Sequence, residues 1–113
     1  MRFVTPLSKL VAELKPVNGW QPIHAWDYDG IEWEHPELGI VYATPDWNDK
    51  GKVSFSFSAY GEDIQHPFRT FRLPAQLNVV HRAAIYQQQA AMVLGQITRA
   101  IMGARLEEQM ALV

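Results

Sequence analysis

The sequence predicts an α+β fold: a short N-terminal helix, an antiparallel β-meander of four to five strands, and a long C-terminal helix packed on one sheet face. Three observations predict it. Apolar residues recur at helical spacing over 7–14, strand-forming runs broken by turn residues fill 23–73, and from Pro74 only Gly95 and Gly103 interrupt a helical pattern. With 113 residues, 48% of them hydrophobic, the chain reads as one domain (1–113) with a real core.

The stretch TPLSKLVAELK offers Thr5 as an N-cap and Pro6 at the first helical position. Leu7, Leu10, Val11 and Leu14 then form one apolar stripe, and Pro16 with the Asn18-Gly19 pair ends it. Further on, IVYAT (40–44) and KVSFSFSAY (52–60) are rich in β-branched and aromatic residues. In the latter Val53, Phe55, Phe57 and Ala59 alternate with Ser54, Ser56, Ser58 and Tyr60, giving a core face and a hydroxyl face. HPELG (35–39), PDWNDKG (45–51) and GED (61–63) read as turns, and a short edge strand is predicted through FRTFRL (68–73) behind Pro67.

An uninterrupted helix over 74–112 would be about 58 Å long at 1.5 Å per residue. That overhangs a domain whose radius of gyration is about 13 Å. Either it breaks near Gly95 or Gly103, or its excess packs on another chain. Ala84, Ala91, Gly95 and Thr98 form a small-residue line flanked by Ala83, Ala90, Ile97 and Ala104. It suits packing within the chain or self-association as a homodimer.

The chemistry-bearing residues concentrate in IHAWDYDGIEWEH (23–35). Asp29-Gly30 predicts a two-residue hairpin turn, because a type I′ turn needs positive φ at both central positions. That register sets Tyr28 opposite Ile31, Trp26 opposite Trp33 and His24 opposite His35, all on one face. The other face carries Asp27 opposite Glu32 and Ala25 opposite Glu34. This sorting disfavours a metal site on His24 and His35, since zinc wants three or four ligands and the carboxylates point away. It also disfavours catalysis by Asp27 and Glu32, which would be solvated on an outer face. Trp26, Trp33 and Tyr28 read as core, or, if that face is open, as a stacking platform.

Composition excludes several classes of function. Without cysteine there is no thiol catalysis, disulfide or zinc–thiolate site. A net charge of −2 argues against a phosphate-tracking surface, so direct nucleic-acid binding is not expected. Lys9, Glu13 and Lys15 interrupt any signal-peptide core, and the apolar window 90–102 is too short to span a bilayer. A cytoplasmic protein is expected. There is no GxSxG, phosphate-binding glycine loop or HExxH helix, so neither an enzyme nor a cofactor is expected.

The leading expectation is a non-catalytic protein-binding module, an inhibitor or adaptor. A basic partner surface would meet Asp27, Asp29, Glu32, Glu34 and Glu37, with Trp47 in a polar turn beside them. Small blocking proteins of mobile genetic elements share this size and charge. The alternative is an oligomer that holds an anionic planar ligand such as a nucleotide, using Arg69, Arg72, His81 and Arg82.

Overall fold

The computed structural model describes residues 6–25, 30–46, 52–60, 70–74 and 78–111. Helix α1 (Pro6–Ala12) leads into five strands, β1 (Gln21–His24), β2 (Ile31–His35), β3 (Gly39–Asp46), β4 (Lys52–Tyr60) and β5 (Thr70–Pro74), and then into helix α2 (Val79–Ala111). The strands form one antiparallel sheet in the order β1-β2-β3-β4-β5, each pairing with its neighbour along the chain. The predicted α+β meander between two helices is the observed architecture.

The alternation read in 52–60 decides which sheet face is covered. Val53, Phe55 and Phe57 are buried in register with Ile31, Trp33, Val41, Ala43 and Leu73, forming the inner face. Onto it α2 lays Ala83, Tyr86, Ala90, Val93, Leu94, Ile97 and Ile101, which recur at helical spacing. Leu7 and Leu10 of α1 are buried in the same core, with Val11 and Leu14 packed against it. Thr5, the expected N-cap of α1, lies outside the described residues.

The Asn18-Gly19 pair does more than stop α1. Asn18 (φ 46°) and Gly19 (φ 92°) turn the chain so that Val17 and Trp20 exchange backbone hydrogen bonds of 2.9 and 2.8 Å. Positive φ at both central positions is the type I′ signature. A Cβ on Gly19 would stand 2.7 Å from His35 Nε2, so the site admits only glycine on two counts.

Three expectations need correction. The hairpin register is the first: His24 stands opposite Ile31 and Pro22 opposite Trp33, with Ala25 N–H donating to Gly30 O (2.8 Å). That is not the register a two-residue turn at Asp29-Gly30 would set; residues 26–29, Asp29 among them, lie outside the described residues. Pro22, not a second tryptophan, flanks Trp33, and Tyr86 stacks on the indole at 6.3 Å between ring centroids. The displacement is four residues, an even number, so the described side chains keep their predicted faces.

The second correction concerns PDWNDKG. Pro45 and Asp46 continue β3, opposite Phe55 and Ser54, instead of beginning a turn. Pairing with β2 ends at Ala43, so this part of β3 is paired only with β4 among the described residues, where a proline is tolerated.

The third correction is the long helix. It begins at Val79, not Pro74, which ends β5, and runs 33 residues without a break at Gly95 or Gly103. Asn78 caps it, its Oδ1 accepting the His81 N–H at 2.9 Å. Such a cap is worth about 0.5–2 kcal/mol. Each glycine costs the helix about 1 kcal/mol, and the buried Leu94, Ile97 and Ile101 more than offset Gly95. At about 50 Å the helix accounts for the molecule's 54 Å longest dimension, against 24 and 22 Å across. Among the described residues no helix is long and apolar enough to cross a membrane.

Candidate functional site

Side chains opposite the core face line a second sheet surface that no described element covers. In register across it run Gln21, Glu34 and Ile40, then Ile23, Glu32, Tyr42 and Ser58. Thr44 with Ser56, and Asp46 with Ser54, continue the surface. Glu34 is exposed and Glu32 half-buried, while Trp33 between them is buried on the other face. The hairpin's open question has a direct answer: the tryptophan face is inside and the glutamate face is outside.

Of the remaining partner-binding candidates, Glu37 is the one among the described residues. Glu37 is exposed in the turn joining β2 to β3, apart from the outer face. His35 Nδ1 accepts the N–H groups of Glu37 (3.1 Å) and Leu38 (3.2 Å), and Arg105 Nη1 donates to the Glu37 carbonyl at 3.0 Å. The turn is thereby fastened to α2. Asp27, Asp29 and Trp47 lie outside the described residues, as do Trp26 and Tyr28.

The ligand-binding alternative fares differently. Arg72 is the register partner of Ser54 in β5, and His81 and Arg82 belong to the first turn of α2. The side chain of Arg72 and the whole of Arg69 lie outside the described residues. His81 is exposed and Arg82 half-buried, its Nε buried with no hydrogen-bond partner among the described residues.

His24 and His35 are not cross-strand partners: His24 faces Ile31, and His35 pairs with Gly39. His35 packs edge-on against Trp20, with centroids 5.1 Å apart. Among the described residues no group of three or more His, Asp or Glu could hold a metal ion.

One buried and one partly buried polar contact escaped the sequence reading. Trp33 Nε1 donates to the Tyr86 hydroxyl at 3.1 Å, and Trp20 Nε1 donates to Thr98 Oγ at 3.0 Å. Thr98 in turn donates to the Leu94 carbonyl at 2.7 Å. Burial pushes the Tyr86 hydroxyl well above the ordinary tyrosine range, against the smaller opposing effect of the Trp33 N–H. These contacts, with Ala83, Ala90 and Ile97 in the core and Ala91 packed against it, put much of the small-residue line to use within the chain. The only sequence signal for them was the amphipathic character of Trp and Tyr, which bury a ring and need a partner for its polar atom.

The site therefore consists of an open mixed sheet face on one side and a long helix on the other. No family, no curated protein and no solved structure was found to match this chain.

Proposed function

We propose that the protein is a non-catalytic protein-binding module of the inhibitor or adaptor type, engaging a basic partner surface through the outer face of its sheet. One observation carries this reading. Glu34 stands exposed beside Glu32 on a face that also presents Tyr42, Ile23 and Ile40 and that no described element covers. Carboxylates steer a basic partner and set its orientation, while the aromatic and aliphatic side chains supply contact area. Self-association through α2 belongs to the same reading, because it leaves the sheet face open. So does a cytoplasmic location.

Charge reversal tests it. The triple variant Asp27→Lys, Glu32→Lys, Glu34→Lys is expected to lose at least tenfold in partner capture from the source cell or its host, with its circular dichroism unchanged. Equal capture by the variant would sink the reading. A second reading, binding of an anionic planar ligand, is favoured by one feature, the buried Arg82 Nε without an acceptor among the described residues. A nucleotide that raises the melting temperature would favour it over the first.

A further inference from the structure

We infer that His35 is a pH-operated latch: its neutral ring holds the β2–β3 turn against the C-terminal end of α2, and proton uptake by the ring lets both go. This goes beyond the binding role and does not depend on it. The ring accepts at one atom from two backbone donors, the N–H groups of Glu37 and Leu38 meeting Nδ1 at 3.1 and 3.2 Å. A ring nitrogen that accepts carries no hydrogen, so the folded turn selects the neutral tautomer with its proton on Nε2. An imidazolium bears a hydrogen on both nitrogens and accepts at neither. Protonation therefore removes two bonds in one step and sets a third N–H against their donors.

The ring cannot evade this by turning in place. A rotation that exchanges its edges brings Cδ2 to the two N–H groups, and a carbon accepts nothing. Nor is there room on the side of the α1–β1 connection. Trp20 packs edge-on with centroids 5.1 Å apart, and a Cβ on Gly19 would stand 2.7 Å from Nε2 and 2.9 Å from Cδ2.

The same turn is what the end of α2 holds on to. Ile101 is the last buried residue of the helix, which runs on to Ala111. Beyond it, Arg105 Nη1 donates to the Glu37 carbonyl at 3.0 Å, and buried Leu38 lines a groove of about 460 Å³ with Met102 and Leu106. His35 thus holds the N–H of Glu37 from β2 while Arg105 holds its C=O from α2. Once the first hold is lost, the second rests on a turn that no longer keeps its place. A helical end of this length is marginal in water without a packing partner.

The charges around the ring favour release once it is protonated. Arg105 of α2 already brings one cation to the turn, and a second there is opposed. Glu34 of β2, which borders the same hollow as His35, and Glu37 of the turn are exposed carboxylates that favour a charged ring outside its seat. Gly19 and Trp20, and Gly39 opposite in β3, bring no charge. Histidine side chains take up a proton between about pH 8 and pH 5, so the turn is fastened at the upper end of that range and released toward the lower.

Amide exchange followed by nuclear magnetic resonance on the full chain, from about pH 8 to about pH 5.5 and corrected for the intrinsic rate, tests the inference. Protection of the Glu37 and Leu38 amides, and of those of 103–111, should fall by about tenfold along one titration curve while the β3–β4 amides keep theirs. Constant protection, a loss shared by the whole sheet, or a helix end that does not respond overturns the latch. At the upper pH the wild-type His35 ring should carry its proton on Nε2, read from its nitrogen shifts; a proton on Nδ1 overturns the inference without any variant. His35→Asn keeps a side-chain acceptor for the same donors, as in an Asx turn, and does not titrate. Its turn should stay protected throughout. A fall like that of the wild type would assign the titration to another group, such as His24, His81 or a carboxylate, and overturn the inference. His35→Ala should leave the two amides unprotected at both ends of the range, and wild-type protection in it would likewise overturn the latch.

Discussion

Replacing Trp33 with alanine is expected to lower the unfolding free energy by about 3–5 kcal/mol. The indole is buried in β2 between Pro22 and Val41, stacked on Tyr86, and its Nε1–H is donated to the Tyr86 hydroxyl. Truncation opens a cavity at the centre of the sheet and leaves that hydroxyl without its donor. Domains of this size are stable by about 5–15 kcal/mol in total, so the variant sits near the edge of folding. Urea unfolding followed by circular dichroism measures the loss. A change below about 1 kcal/mol would mean that the helix does not pack on Trp33 as described.

The second large effect is expected at alkaline pH. The folded state holds the Tyr86 hydroxyl protonated above its ordinary value of 10.0, because burial disfavours the phenolate. A group whose pKa is raised on folding contributes stability that is fully present below its unfolded pKa and is lost as pH rises beyond it. Stability should therefore fall above pH 10 by about 1.4 kcal/mol per pH unit from this residue, or about 2 kcal/mol by pH 11.5. Tyr86→Phe isolates the contribution. It leaves the Trp33 N–H buried without an acceptor, a cost of about 1–3 kcal/mol at pH 8, but it removes the alkaline slope due to Tyr86. Parallel stability curves for the two proteins between pH 8 and 11.5 would rule the account out.

Local periodicity carried most of the architecture. KVSFSFSAY was legible to the residue as β4 because strict alternation has one interpretation, a strand with one buried face. Turn chemistry was less decisive. Asn18-Gly19 and Asp29-Gly30 send the same local signal; the first forms a two-residue turn, while the register beside the second, His24 opposite Ile31, is not the one such a turn would set. At the second, register is decided by what packs beside Trp33, which is Pro22 with Tyr86 above it, and no local rule contains that information. Face assignment survived the error because side chains repeat every two residues. The Trp33–Tyr86 and Trp20–Thr98 contacts join residues 53 and 78 positions apart, beyond any motif spacing. Of the candidate site, Glu32 and Glu34 could be placed on the face opposite Trp33 from alternation alone, whereas which of the two faces is the outer one required knowing which face the helix covers.

The neighbour-to-neighbour strand order also bears on how the chain reaches its structure. Each pairing closes a short loop, at little entropic cost, so the sheet can zip up hairpin by hairpin while α2 is still undocked. Until α2 arrives, Trp33, Phe55 and Phe57 stand on an open aromatic face, a surface that invites aggregation. The Trp33–Tyr86 bond then marks the closing event of folding. Pulse-labelled hydrogen exchange should show β3–β4 amides protected before those of the α2 face, and simultaneous protection would contradict that order.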